Sequence, residues 1–262
     1  MSRMLPGVLT LTTDFGYRDH YVGAMKGVVA SLAPGVQVFD ITHDVPSFDI
    51  AEGAFAIAQA WRSYPDATVH VVVVDPGVGS SRAPIAAAAG RHFFVAPDNG
   101  VLSQVLESVG TSSIRRVETR HGLRAISRTF HGRDLFAPVA ARLAAGLKFE
   151  DVGPSMAEPV RLPPVAVAAG IGAVLHVDRF GNIVTSFRQE DLAAGAGLEI
   201  GGRIVGSRAD SYADAPEGEL FLILGSSGYV EISLNRGSAA ASLRARAGAH
   251  VALARSRSGQ GV

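Results

Sequence analysis

Acidic, basic and imidazole side chains recur in this chain just after short apolar runs, where the backbone turns. The first half carries TTDFGYRDHY with Asp14 and Asp19, DITHDVPSFD with His43, Asp44 and Phe48, DPGVGSSR with Asp75 and Arg82, and TFHGRD with His131 and Asp134. Later come VDRFGN with Asp178, Phe180 and Asn182, and GSSGYVEI with Ser226, Ser227, Tyr229 and Glu231. A carboxylate, a guanidinium and an imidazole gathered in one place can take a proton from water, stabilise the resulting hydroxide and orient it. Phe48 and Phe180 stand in turn-rich sequence, badly placed for core packing and well placed to stack on a flat ligand ring.

Each of these has a plainer reading. Asp75 could cap the turn announced by Pro76 and Gly77, His131 could be a satisfied structural histidine, and Ser226, Ser227 and Gly228 could form only a hairpin turn. The glycines of DPGVGSS suggest a phosphate cradle, but the lysine that completes a P-loop is missing. His43 and Asp44 together have the look of a metal-dependent phosphohydrolase pair. Such sites want further His and Asp on helices, whereas this pair follows a strand, so a loop role fits better. The chain has no cysteine, which removes disulfides, thiolate metal sites and thiol catalysis together.

The elements that must position these residues follow α/β syntax in the first half. Runs at Val8 to Thr13, Val36 to Ile41 and Val69 to Val74 predict strands, with a helix from Tyr21 to Leu32 between the first two and another from Asp49 to Trp61. Asp49 and Glu52 stand at capping-box spacing. VHVVVV is an unbroken β-branched run, suited to a parallel strand covered on both faces. His92 to Gly100 predicts a strand and turn, Val101 to Val109 a helix, and Asp134 to Leu147 an alanine-rich helix. Ligands of such sheets sit beyond the carboxyl ends of the strands, where the acidic segments fall.

Prolines 159, 163 and 164 break the pattern, and beyond them short glycine-punctuated runs predict a small all-β barrel. The reading is therefore an α/β N-terminal domain with a mostly parallel sheet over residues 1–158, a linker over 159–165 and a smaller all-β barrel C-terminal domain over 166–262. The tail 256–262 is expected to be disordered. Apolar residues make up 47% of the chain and the formal net charge is zero, so the expected partner is a small molecule rather than nucleic acid or an anionic membrane. The start lacks the continuous apolar region of a signal peptide, and no run reaches the roughly 18 apolar residues of a membrane span, so the expected location is the cytoplasm.

Taken in order, TTDFG, YVGAMKG, ITHDVPSFDI, VVDPGVGS, PDNG, TFHGRD, DRFGN and GSSGYVEI resemble the S-adenosyl-L-methionine (SAM) hydroxide adenosyltransferase family, from roughly Leu9 to Leu253. Relatives of that family fluorinate or chlorinate the same substrate. The resemblance implies hydrolysis of SAM to adenosine and methionine, with SAM as substrate and no cofactor or metal, in a homotrimer whose ligand lies between one subunit's N-terminal domain and its neighbour's C-terminal domain. It further implies that Asp14 holds the ribose hydroxyls, that Phe48 lines the adenosine pocket, and that Asp19 and Asp178 face the methionine portion. Asn182, Ser226, Ser227, Glu231 and Asn235 would surround the adenine or the sulfonium ligand. Asp75, Arg82 and His131 match the set that marks the hydrolase branch, and the proton acceptor stays open between Asp75 and His131. A halogenase of the same fold and a non-catalytic adenosine or SAM sensor are the alternatives.

Overall fold

The structure is a computed structural model that describes residues 7–110, 112–164 and 167–254. The tail 256–262, expected to be disordered, lies outside the described residues. The chain divides into two compact units, Met1–Leu162 and Pro163–Val262. Among the described residues no helix is long and apolar enough to cross a membrane.

The first unit runs β1 (Val8–Thr13), α1 (Tyr21–Leu32), β2 (Gln37–Thr42), α2 (Ile50–Ala60), β3 (Val69–Val73), β4 (Pro84–Ala89), β5 (His92–Pro97), α3 (Ser103–Val109), β6 (Ser112–Arg116) and α4 (Ala137–Ala144). Its sheet has the order β2-β1-β3-β5-β4-β6. The first four strands in that order are parallel, and β4 is antiparallel to both β5 and β6, so the sheet is mixed. The reversal is local in origin: Gly90 and Arg91 both take positive φ, 56° and 70°, which closes a two-residue hairpin between β4 and β5. The apolar run predicted from VHVVVV is β3, buried along its whole length. Val71 and Val73 pack into the core under α1 and α4, and Val72 and Val74 into the core with Ile57, Val105 and Leu106 of α2 and α3. The helix predicted from Asp49 does begin there, with Asp49 Oδ1 accepting the Glu52 N–H at 3.0 Å.

The alanine-rich stretch after Asp134 is not one regular helix. A π-helical turn spans Gly132–Phe136 and leads into α4. Asp134, 1% exposed, is held inside that turn by Arg133 and by the Ser127 N–H at 2.8 Å, so its side chain ties back to the preceding loop.

The second unit contains β7 (Ile171–Val177), β8 (Ile183–Thr185), β9 (Gly197–Ile200), β10 (Arg203–Val205), β11 (Leu220–Leu224), β12 (Val230–Leu234), α5 (Ala239–Leu243) and β13 (His250–Ala254). Its strands order as β10-β9-β13-β7-β8-β12-β11, and every neighbouring pair is antiparallel. The two ends approach each other: the Leu222 N–H reaches Ser207 O at 2.8 Å and the Ala209 N–H reaches Leu222 O at 3.1 Å. The result is a nearly closed, barrel-like sheet around Ile183, Phe187, Leu198, Ile232 and Val251.

Two histidines are buried in the first sheet. Thr10 Oγ1 lies 2.7 Å from His70 Nδ1, His70 Nε2 lies 3.1 Å from His92 Nδ1, and the His70 ring stacks on Phe94. Burial, reinforced by His92, pushes His70 down to about 3. The unfolded chain, with histidines near 6.5, therefore binds more protons between those values, so this stabilisation is complete above about pH 6.5 and is lost as pH falls towards 3. The urea midpoint of the wild-type protein should fall more steeply between about pH 6.5 and 4 than that of His70→Asn. Parallel declines would contradict this account.

Candidate functional site

Three of the predicted residues meet at the carboxyl end of β3. Asp75 stands just beyond the strand, after Val74, and the chain then turns back through Val78 N–H to Asp75 O at 3.2 Å and Ser80 N–H to Gly77 O at 3.1 Å. That return carries Arg82 onto Asp75: Arg82 Nε donates to Oδ1 at 3.0 Å and Nη2 donates to Oδ2. The pair is nearly buried, with side-chain exposures of 10% for Arg82 and 5% for Asp75. Gly79 is required here, because a Cβ at its φ of +77° would stand 2.3 Å from the Arg128 carbonyl oxygen. This close approach brings the loop that ends in His131 against the Asp75 turn.

Arg82 Nη2 also donates to His131 Nδ1 at 2.7 Å. A guanidinium can only donate, so Nδ1 offers its lone pair and the neutral ring carries its proton on Nε2. Burial, followed by the Arg82 charge, holds His131 below the ordinary histidine value, although Asp75 and Asp134 pull the other way. The cluster thus has one anion, one fixed cation and a neutral imidazole whose remaining N–H can donate.

The PDNG turn after β5 braces the same cluster, and residue spacing gave no hint of it. Asn99 Nδ2 donates to the carbonyl of Val74 at 2.8 Å, and the Asp98 N–H donates to the carbonyl of Ala83 at 2.8 Å. One turn therefore holds the residues immediately before Asp75 and immediately after Arg82. The sequence marked PDNG as a turn following a strand and as one of the ordered family segments, but gave Asp98 and Asn99 no role.

Asp14 and Phe48 come together at the ends of β1 and β2: the Phe48 N–H donates to Asp14 Oδ2 at 2.9 Å. Phe48, 70% exposed, holds a left-handed φ of 68°, a conformation that costs a residue bearing a Cβ about 1–2 kcal/mol. Asp19 is exposed in the loop before α1. His43 is not placed as a metal ligand; it is 1% exposed and engaged by Thr13 and Asp40. Among the described residues no three His, Asp or Glu side chains gather to hold a metal ion.

In the second unit, Asp178, Phe180, Asn182 and Asn235 line a cleft of about 590 Å³. Asp178 Oδ1 accepts the N–H groups of Phe180 and Asn182, and Oδ2 accepts from Asn182 Nδ2 at 2.9 Å. This fold of the DRFGN turn leaves Phe180 77% exposed. Tyr212, unmarked by the sequence reading, lines the cleft as well and donates its hydroxyl to the buried Glu231 at 2.9 Å. Burial first, then Glu231, pushes Tyr212 up to about 12, so it stays a neutral phenol. Its signal, an aromatic within the turn-rich SYADAPEGE, was the one that marked Phe48 and Phe180. Ser226 and Ser227 occupy the turn between β11 and β12, outside the lining of the cleft, and Tyr229 stacks under the Arg188 guanidinium at 4.1 Å.

Residues 9–153 match the SAM hydroxide adenosyltransferase N-terminal domain and residues 172–252 match the C-terminal domain of the same name. The chain is 43% identical to an (R)-S-adenosyl-L-methionine hydrolase of Salinispora tropica, over 88% of this chain and 92% of that one. It is 39% identical to one of Thermus thermophilus, over 92% and 97%. A fluorinase of an Actinoplanes species matches at 27% identity over 87% and 91%. Among solved structures, a conserved protein from Thermotoga maritima superposes with a TM-score of 0.89 at 36% identity, over 94% of this chain and 100% of that one.

The His131 geometry has a spectroscopic consequence. Nitrogen-15 correlation spectra at neutral pH should show Nδ1 unprotonated and Nε2 protonated, with the ring titrating below about 6.5. A ring titrating above that value would contradict the Arg82 contact.

Proposed function

The chain belongs to the SAM hydroxide adenosyltransferase family, and from that membership we propose that it hydrolyses S-adenosyl-L-methionine to adenosine and L-methionine by attack of water at the ribose C5′. The observation that carries the proposal is the single guanidinium of Arg82 shared between Asp75 and His131.

The sulfonium makes methionine a neutral leaving group, so nothing need protonate what departs. The demand falls on the nucleophile: an O–C5′ bond forms as the C5′–S bond breaks, sulfur keeps the electron pair, and the water must lose a proton. His131 is poorly disposed to receive it, because Arg82 occupies the Nδ1 lone pair and Nε2 already bears hydrogen. Asp75 keeps carboxylate lone pairs beyond the two that Arg82 uses, so Asp75 is the proton acceptor. His131 Nε2–H holds the oxygen, and Arg82, always charged, orients the Asp75 carboxylate and stabilises developing hydroxide. In this reading Asp14 takes the ribose hydroxyls and Phe48 lines the adenosine pocket. Asp19 and Asp178 face the methionine portion, while Phe180, Asn182, Ser226, Ser227, Tyr229, Glu231 and Asn235 serve the adenine or sulfonium ligand, joined by Tyr212. The same family reading carries a homotrimer, which sedimentation equilibrium tests.

Halogenation is disfavoured by the same pair. Two like charges 4 Å apart repel by about 1 kcal/mol in water and about 4 at an effective dielectric of 20, and the Arg82 charge is already committed to Asp75. Saturating fluoride or chloride should leave adenosine as the only nucleoside product. Asp75→Asn should lower kcat by about 10²- to 10⁴-fold with little change in KM. An Asp75→Asn protein with wild-type kcat would remove Asp75 from the chemistry.

A further inference from the structure

His43 is a buried imidazole that the hydrolytic mechanism leaves unused. It is 1% exposed, so it does not touch a bound substrate. Its Nδ1 lies 2.7 Å from Thr13 Oγ1, its Nε2 lies 3.0 Å from Asp40 Oδ1, and the Tyr17 ring meets it edge-on at 4.9 Å. Thr13 Oγ1 also accepts the Phe15 N–H at 3.2 Å. The Thr13 proton is then free to point at Nδ1, which puts the His43 proton on Nε2, within ion-pair distance of Asp40 Oδ1 but not aligned on it as a hydrogen bond. Asp40 is held in turn by Lys26 at 2.6 Å and by the Tyr17 hydroxyl at 2.8 Å. The imidazole therefore spans a hydroxyl at the end of β1 and a carboxylate on β2.

The loops leaving those two strands carry Asp14 and Phe48. They touch twice more: the Gly16 N–H donates to the His43 carbonyl at 2.8 Å, and the Phe48 N–H donates to Asp14 Oδ2 at 2.9 Å. The strand pairing cannot set this alignment alone, because the register of β1 against β2 shifts between Leu11 and Thr12, just before the loops begin. Those two bonds tie the loops together, and the side-chain bridge through His43 adds a third tie where the register shifts. On the first loop the next residue is the ligand residue: Thr13 precedes Asp14 directly.

We propose that His43, clamped between Thr13 and Asp40, is a positioning residue that fixes the Asp14 carboxylate and so sets how strongly the site prefers a ribose to a 2′-deoxyribose. The proposal rests on the reading that Asp14 binds the ribose hydroxyls. A misplaced carboxylate loses its hydrogen bonds to the sugar while contacts to the adenine ring persist, so discrimination at the 2′ position reports the clamp and a general loss of fold does not.

The test is calorimetric titration of the full chain with adenosine and with 2′-deoxyadenosine, comparing wild type with Asp14→Asn, His43→Asn, Thr13→Val and Thr13→Ser. Wild type should prefer adenosine by roughly tenfold or more, and Asp14→Asn should abolish that preference. His43→Asn and Thr13→Val should each lose about threefold of it, and Thr13→Ser, which keeps the hydroxyl, should retain it. Thr13→Val is nearly isosteric and carries the test if His43→Asn does not fold. If Asp14→Asn loses the preference while His43→Asn and Thr13→Val keep it, the positioning role is overturned and the ribose reading stands. If Asp14→Asn keeps the preference, the ribose reading fails and the positioning role falls with it.

Discussion

One guanidinium organises the first unit's chemistry. Arg82 is nearly buried, and a buried cation without partners is far more costly than the pair it forms with Asp75. Because it also donates to His131, the same charge that neutralises the carboxylate dictates the tautomer of the imidazole. Removing Asp75 would leave the Arg82 cation uncompensated and removing Arg82 would leave the Asp75 carboxylate so and free the His131 tautomer, so the three side chains form a unit rather than a sum of parts.

That unit makes demands on the backbone around it, and the fold answers each locally. Asp75 must leave a strand buried on both faces, which the valines of β3 supply. Arg82 must return within a few residues, through a turn that needs Gly79 against Arg128. The turn must not drift, and the PDNG segment ties both of its ends to β5. His131 must arrive from elsewhere in the chain, and the irregular π-helical turn with its buried Asp134 holds the loop that delivers it. The second unit meets a simpler requirement: a nearly closed sheet leaves a turn free to present Phe180, because Asp178 satisfies the N–H groups that the turn exposes.

Much of this was legible because it depends on local pattern. β-branched runs announced β1, β2 and β3, capping-box spacing announced α2, and glycine-punctuated runs announced the antiparallel second unit. The strands β4 and β6 were not legible. PIAAAA has the composition of a helix, and only its position between β5 and β6, beside a hairpin closed by Gly90 and Arg91, makes it a strand. In the same way, Asp75, Arg82 and His131 were recognisable as residue types, but the shared donor that gives His131 its tautomer is a relation across 49 positions that no spacing encodes. His43 shows the limit most clearly. Beside Asp44 a loop role was favoured over a metal pair, but spacing could not name its partners, Thr13 on another strand and Asp40 three residues earlier on β2. Tyr212 and Asn99 escaped because a turn with an aromatic or an amide in it is common, and only three dimensions reveal what the side chain reaches.

The most direct measurement of the central claim is the fate of solvent oxygen during turnover of SAM in water enriched in heavy oxygen, read by mass spectrometry of the nucleoside. Attack at C5′ by water held at the Asp75–Arg82–His131 cluster predicts one heavy oxygen in adenosine, located at the 5′ position, with methionine unlabelled. Adenosine without the label, or no adenosine at all from a protein that binds SAM, would contradict it.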